Sequence, residues 1–555
     1  MTPANLRRAV GLTLLVSLLA GCSGGGEDLA GPASGARELA VGGVSGEELA
    51  EVQVLHVGNG AEPGSIDPHR AEGVPSSNIQ RDLFEGLVNE APNGDLIPGA
   101  AESWEISDDG LTYTFNLRRD ARWSNGDSVL ADDWVYSLRR SLDPMTMSRY
   151  TFILNPIRNA ESIAAGQMPI TELGVRAIDD YTLEIQLEGP TPYFLGLLTH
   201  SASYAVHQPS VEAYGDQHTR PGNLVSNGAF QLEDWVVQSH MKLVRNPQYW
   251  DNGNTILDEV WYYATEDQTA ELRRYRADEL DMTSTVPTRQ LAWARENLPD
   301  DLTIAPYLGS YYFGFNVTRP PFKDNPSLRR ALALAIDRDI ITRQVTGAGQ
   351  LPSFGWVPPV NNYEGQKMPE ADWTQAEREA QARRLYAEAG YSAENPLRTE
   401  IIYNTQEDHR RLALAIAAMW KQVLGVEAGI LNQEWKVFLD TRRQKIDTQI
   451  YRGGWIGDYN DAFTFAELML TTSGLNDTGY SNAEYDALLQ EASMEGDLAR
   501  RAELLQQAEA ILLEDLPILP IYYYVTSKLV KPWVGGYESN IMDHHRSKNF
   551  YILRH

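Results

Sequence analysis

Apolar positions along the chain recur with two periods. Period-two alternation over residues 111–117 and 181–187 predicts half-buried strands. Short apolar, β-branched runs at 52–57, 399–403 and 426–431 predict further strands, and 222–250 is strand-rich. Helical spacing covers 78–86 through Ile79, Leu83 and Phe84, and 131–142 with Asp132 or Asp133 near its start. Asn325-Pro326-Ser327 opens a helix expected to reach about Val345, with Leu328, Leu332, Ala335, Ile336 and Ile340 on one face. Thr374 to Glu377 reads as a capping box, and Gly390 closes that helix. A helix over 409–424, stopped by Gly425, lies between the strands 399–403 and 426–431, which is a βαβ unit. A last helix at 498–513 precedes an extended run at 520–525 that has no local partner. The pattern is that of an α/β protein, with a small mixed domain at 86–207 and an α/β domain over 309–520.

At 555 residues the chain has room for several domains of ~150 residues each. Its formal charge is −29, or −31 without Arg7 and Arg8, and this acidic excess excludes nucleic acid as a partner. Residues 1–21 carry Arg7-Arg8, an apolar run and then Leu19-Ala20-Gly21-Cys22, which together predict a signal peptide. Its end resembles a bacterial lipobox, making Cys22 the expected lipidation site. Cys22 is the sole cysteine, so no disulfide forms within the chain. Residues 22–50 hold little to bury and are expected to be a flexible tether. No later segment is apolar and long enough to span a bilayer.

The candidate chemistry concentrates at 451–461, Tyr-Arg-Gly-Gly-Trp-Ile-Gly-Asp-Tyr-Asn-Asp. A cation, a large aromatic, an anion and glycines that permit close backbone approach suit a zwitterion: Asp458 for an ammonium, Arg452 for a carboxylate, Trp455 along the chain between them. The same residues also fit an aspartate turn on a surface loop with a core tryptophan. No His-Glu-x-x-His or Walker sequence is present, the Gly-x-Ser-x-Gly string at Gly21 to Gly25 falls at the end of the signal segment and not at a strand-to-helix elbow, and Asp458 to Asp461 lacks the glycine and terminal glutamate of a calcium loop. The reading is therefore not an enzyme, with no metal and no cofactor.

Several runs resemble the peptide-binding proteins of ABC importers, the family 5 extracellular solute-binding proteins. They are Leu83 to Leu87, Pro98 to Trp104, Arg245 to Trp250, Asn432 to Lys436, Phe438 to Arg442, Gly454-Trp455 with Asp458-Tyr459-Asn460, Tyr522 to Val525 and Leu529 to Gly536. The resemblance implies a three-lobed periplasmic-binding-protein fold with mixed sheets and a hinge near 306–312 and 520–524. Lobe I would take 51–85, 208–308 and 524–555, lobe II 86–207 and lobe III 309–523. It implies that Asp458 holds a peptide's α-amine and that Arg452 and His409 meet its carboxylate at different peptide lengths. Arg442 would be a further cation. Glu72, Val74, Gly454, Ile456 and Tyr524 would line the pocket or pair with the peptide backbone, and Tyr150, Trp435, Leu439 and Trp455 would form side-chain pockets. Ala462 stands where the family has proline, Ile456 replaces a smaller or sulfur-bearing residue, and one extra residue separates Arg442 from Arg452.

The implied partners are short peptides, ABC permease subunits and a membrane reached through the lipid on Cys22. The implied protein is a monomer in the periplasmic space or at the outer cell face. A murein-peptide receptor of the same architecture is the nearest rival, since Arg442 and Arg443 would suit extra ligand carboxylates. A secreted cell-wall hydrolase and a sensory or adhesive surface lipoprotein are rivals of other classes.

Overall fold

Val54–Gly58 lies parallel to Glu259–Tyr263, and His240–Arg245 and Phe230–Val236 continue that sheet antiparallel. The computed structural model describes residues 48–360 and 363–555, so the signal segment, Cys22 and nearly all of the tether fall outside the described residues. Leu55, Phe230, Leu243 and Val260 turn inward from the first sheet onto Ile79 and Leu83 of the helix Val74–Leu83 and onto Phe550 and Ile552 near the C-terminus. The two ends of the described chain thus share one core. This helix begins earlier than its apolar spacing predicts, because Pro75 fits the first turn, where an N–H would have no partner.

A second, wholly antiparallel sheet runs in the order Ala101–Ile106, Thr112–Leu117, Thr182–Gln186, Val175–Asp179. Helix Ala131–Leu142 covers it with Trp134, Leu138 and Leu142, all fully buried. The third sheet has six strands in the order Leu351–Pro352, Ile518–Leu529, Leu302–Phe315, Ile450–Ile456, Arg398–Asn404, Glu427–Gln433. Its last two strands are parallel and joined by helix Glu407–Leu424, which buries Leu412, Ile416 and Trp420. That is the βαβ unit the sequence predicts. Thr374 also caps helix Gln375–Glu388 reciprocally with Glu377. The single helix expected from 325 to 345 is instead broken. Pro326–Leu334 ends at Ala335, and the Asp337 carboxylate accepts from the Ile340 N–H to start a new turn, followed by a π-helical segment Ile341–Thr346.

Leu302–Phe315 and Ile518–Leu529 pair with each other along most of their length. One end of this ribbon packs Leu302, Ile304, Val525 and Leu529 into a cluster with helix Gln268–Arg276. The other end packs Tyr311, Phe313, Phe315, Leu519 and Ile521 into the core of the third sheet. Register shifts fall between Pro306 and Ser310 and between Tyr311 and Tyr312, where one body gives way to the other. The second and third sheets meet across a further contact. Tyr193 stacks on Tyr459 at 5.5 Å between ring centroids, and the Arg501 guanidinium lies over the Tyr193 ring at 4.3 Å.

Candidate ligand-binding site

The first half of the 451–461 stretch is an inner strand rather than a surface loop. Ile450–Ile456 pairs along one side with Gly309 to Phe315, but only Ile450 and Tyr451 pair with Ile401 and Ile402 on the other. From Arg452 to Ile456 that second edge has no strand partner among the described residues. It faces a cavity of about 450 Å³, a volume typical of ligand sites. Two glycines set this geometry. A Cβ on Gly453 would lie 2.2 Å from the Tyr312 ring, and one on Gly454 would lie 2.5 Å from the Tyr524 hydroxyl. Neither position admits a side chain while the rings stay in place.

Asp458 sits just past the end of this open edge. Its backbone N–H donates to Thr464 Oγ1 at 3.1 Å, and the same oxygen lies 3.3 Å from Trp455 Nε1, so Thr464 fixes both residues. The carboxylate is 12% exposed, its Oδ2 has no hydrogen-bond partner, and its Oδ1 lies 3.7 Å from His200 Nε2. The Ala202 N–H donates to His200 Nδ1, which leaves the proton on Nε2, and burial holds that imidazole neutral by lowering its pKa to about 3. Asp458 therefore has no cation bonded to it. Burial pushes its pKa up to about 8, against the opposing pull of Arg81.

At the other end of the edge, Arg452 donates to the Tyr524 hydroxyl at 2.6 Å and lies over the Tyr311 ring at 4.9 Å. Its Nε has no partner, and it joins none of the ion pairs among the described residues. His409, at 8% exposure, lies 3.4 Å from the Tyr311 hydroxyl through Nδ1. Burial and the nearby Arg452 hold its pKa well below the ordinary value, so it presents a neutral ring. Arg442 is also more committed than expected. Its Nε lies 2.6 Å from Asp477 Oδ2, and its guanidinium sits near the Phe438 and Tyr451 rings.

Glu72 is likewise engaged, accepting from Arg149 at 2.9 Å and from Arg443 at 2.7 Å. Arg149 also reaches Asp477 at 3.1 Å and donates to the Gly474 carbonyl. Charges from segments far apart in the chain thus interlock beside the cavity residues Glu72 and Arg442. Val74, Tyr150, Trp435, Leu439, Gly454, Trp455, Ile456 and Tyr524 line the cavity together with Glu72, His409, Arg442, Arg452 and Asp458. Sequence reasoning missed Arg81, Arg149 and His200, each from a segment far from 451–461 in the chain. Among the described residues, no group of acidic, histidine or cysteine side chains is arranged to hold a metal ion.

The family model for bacterial extracellular solute-binding proteins, family 5, matches residues 95–477. The chain belongs to that family. Family 5 proteins are binding proteins rather than enzymes, and their mixed sheets and lobes are those found here. A similar relative is the periplasmic oligopeptide-binding protein OppA of Escherichia coli, 43% identical over 518 residues that cover 92% of this chain and 94% of that one. The structure of Haemophilus influenzae OppA in complex with the peptide RPPGFSPFR superposes with a TM-score of 0.89 at 40% identity, covering 91% of this chain and all of that one. The Escherichia coli murein tripeptide-binding protein MppA superposes equally well, at 0.89 and 38% identity, covering 91% of this chain and 100% of its own. Its unliganded open form reaches only 0.66, so the family 5 arrangement seen here is a closed one.

Proposed function

We propose that this chain is a receptor that binds short, unblocked peptides of about two to five residues and delivers them to an ABC permease. One observation carries the reading: a buried carboxylate without a bonded cation at one end of an open strand edge, with an unpaired arginine at the other. A peptide laid along Arg452 to Ile456 would add a strand through main-chain hydrogen bonds, which do not depend on sequence. Its ammonium would satisfy Asp458 and its carboxylate would approach Arg452. The oligopeptide-binding names of the relatives support the same ligand class. Native mass spectrometry of purified protein tests it, with co-purified peptides of this length as the expected result; a uniformly non-peptide ligand would count against it.

Arg442 and Arg443, the two cations that would suit a murein peptide's extra carboxylates, are paired with Asp477 and Glu72, so neither supports that alternative. The lobe boundaries 51–85, 208–308 and 524–555 for lobe I, 86–207 for lobe II and 309–523 for lobe III belong to this proposal. The long ribbon crossing 306–312 and 520–524 supports them as a hinge. Arg149, from lobe II, would then be a latch onto lobes I and III. Arg149→Ala is expected to release a bound peptide about tenfold faster in stopped-flow measurements, because it breaks a partly buried charge network. An unchanged release rate would remove the latch.

The location proposed is the periplasmic space or outer cell face, held to a membrane through Cys22. Mass spectrometry of membrane-extracted protein is expected to show diacylglycerol on Cys22 and no residue before it. A Cys22→Ala protein that stays as firmly in the membrane fraction as wild type would exclude the anchor.

A further inference from the structure

Asp458 also borders a smaller chamber of about 30 Å³, with Ser77, Arg81, Thr199, His200, Ser201, Tyr204 and His544 around it. That is room for about two waters, the size of a carboxylate group. The hydroxyl hydrogens around it are already used: Ser77 donates to the Gly73 carbonyl, Thr199 to Gly196, Ser201 to Pro68 and Tyr204 to Thr199. His200 directs its Nε2 proton toward Asp458. His544 is bonded through Nδ1 to Glu90 at 2.7 Å, and burial with the field of Arg81 keeps it neutral. Arg81 is different. It lines both the main cavity and the chamber, and among the described residues its guanidinium joins no hydrogen bond or ion pair.

The bonding around Asp458 shows what this arginine can do. A ligand ammonium matches the Asp458 carboxylate, and Glu90, the nearby anion behind His544, is bonded to that ring rather than to Arg81. A carboxylate carried by the same ligand residue offers the planar Arg81 guanidinium its preferred forked partner. The chamber lies on the Asp458 side of the site, while Arg452 acts on His409, Tyr311 and Tyr524 at the other end. A group there therefore belongs to the residue that carries the amine.

We propose that the site selects peptides whose first residue has an acidic side chain, with Arg81 holding that carboxylate while Asp458 holds the α-amine. This selectivity rests on the peptide-receptor reading and adds a specificity-determining residue to it. Calorimetry with Ala-Ala-Ala, Gln-Ala-Ala and Glu-Ala-Ala separates the two levels. Wild type is expected to bind trialanine, and to bind Glu-Ala-Ala about tenfold more tightly than Gln-Ala-Ala, as one desolvated charge-assisted contact supplies. In Arg81→Gln the ratio should fall to near one, with Arg81→Lys intermediate. The ratio is internal to each protein, so a general loss of affinity in a variant does not imitate the effect, and the wild-type ratio stands without any variant. Trialanine binding with a wild-type ratio within about twofold overturns the subsite and leaves the receptor intact; a preference that persists in Arg81→Gln overturns it as well. Failure of all three peptides to bind overturns the receptor reading itself.

Discussion

Asp458→Asn is expected to lower peptide affinity by about thirtyfold or more while making the ligand-free protein more stable at alkaline pH. The affinity loss follows from removing one partner of a desolvated charge pair, which costs about 2 to 5 kcal/mol. Isothermal calorimetry should find that N-acetylation of a peptide weakens its binding to wild type strongly and to Asp458→Asn hardly at all. Equal wild-type affinities for blocked and free peptides would show that Asp458 does not hold the amine. The stability gain has the opposite origin. The folded pKa of about 8 lies above the ordinary carboxylate value of 3.8, so between these limits the native state binds a proton that the unfolded chain does not. Stability conferred by the protonated form is complete at low pH and is lost as pH rises through about 8. Each unit of displacement is worth about 1.4 kcal/mol, which makes the penalty several kcal/mol above pH 8. Asparagine does not ionise and escapes it. Glu271, raised by burial to about 7, titrates in the same window but is common to both proteins. The melting temperature of Asp458→Asn minus that of wild type should therefore widen from pH 5 to pH 9; a constant difference would mean the carboxylate is well hydrated. Peptide binding at pH 7 must also expel the proton from Asp458, and calorimetry in buffers of different ionisation heat should record close to one proton released.

Arg452→Ala is the second substitution with a large expected effect, and that effect should depend on ligand length. An extended residue advances the chain by about 3.3 Å, so with the amine fixed on Asp458 only some lengths bring the terminal carboxylate to Arg452. For those, the loss should again reach about 2 to 5 kcal/mol. Dialanine to pentaalanine, titrated against the variant, should show one or two lengths strongly weakened and the rest little changed. His409→Ala should give a different and shallower profile, since a neutral imidazole offers a hydrogen bond rather than a charge. Its contribution should also be flat across pH 6 to 8, because burial and Arg452 hold the ring neutral through that range. A uniform loss at every length in both variants would reduce these residues to a general cavity field.

What the sequence revealed depended on how local each signal is. The βαβ unit around Glu407–Leu424 and the Thr374 cap are written within a few turns of chain, and they appear where expected. The strand Ile450–Ile456 was hidden by its own function. Gly453 and Gly454 weaken strand propensity, yet they are needed for the close approach of Tyr312 and Tyr524. The break at Asp337 is a contest between continued helical spacing and a capping carboxylate, which periodicity alone cannot settle. Arg442 illustrates a further limit. Its type suggests a free cation, but Asp477, beyond the strand Ile450–Ile456 and the helix Phe463–Ala466, pairs with it. His200 and Arg81 reach Asp458 from separate bodies of the fold, and no spacing along the chain brings them together.

The unpaired edge from Arg452 to Ile456 has a colloidal consequence as well. A row of free backbone N–H and C=O groups is a template for any extended chain, including a second copy of this protein. Here it is short, has Arg452 at one end and Asp458 just past the other, and lies between walls that the Arg149 network and the Tyr193–Tyr459 stack hold together. The closed molecule therefore covers this edge, and opening would expose it. A firmer closure would lengthen shelf life while slowing ligand exchange, so the strength of the rim contacts is a compromise between self-association and turnover.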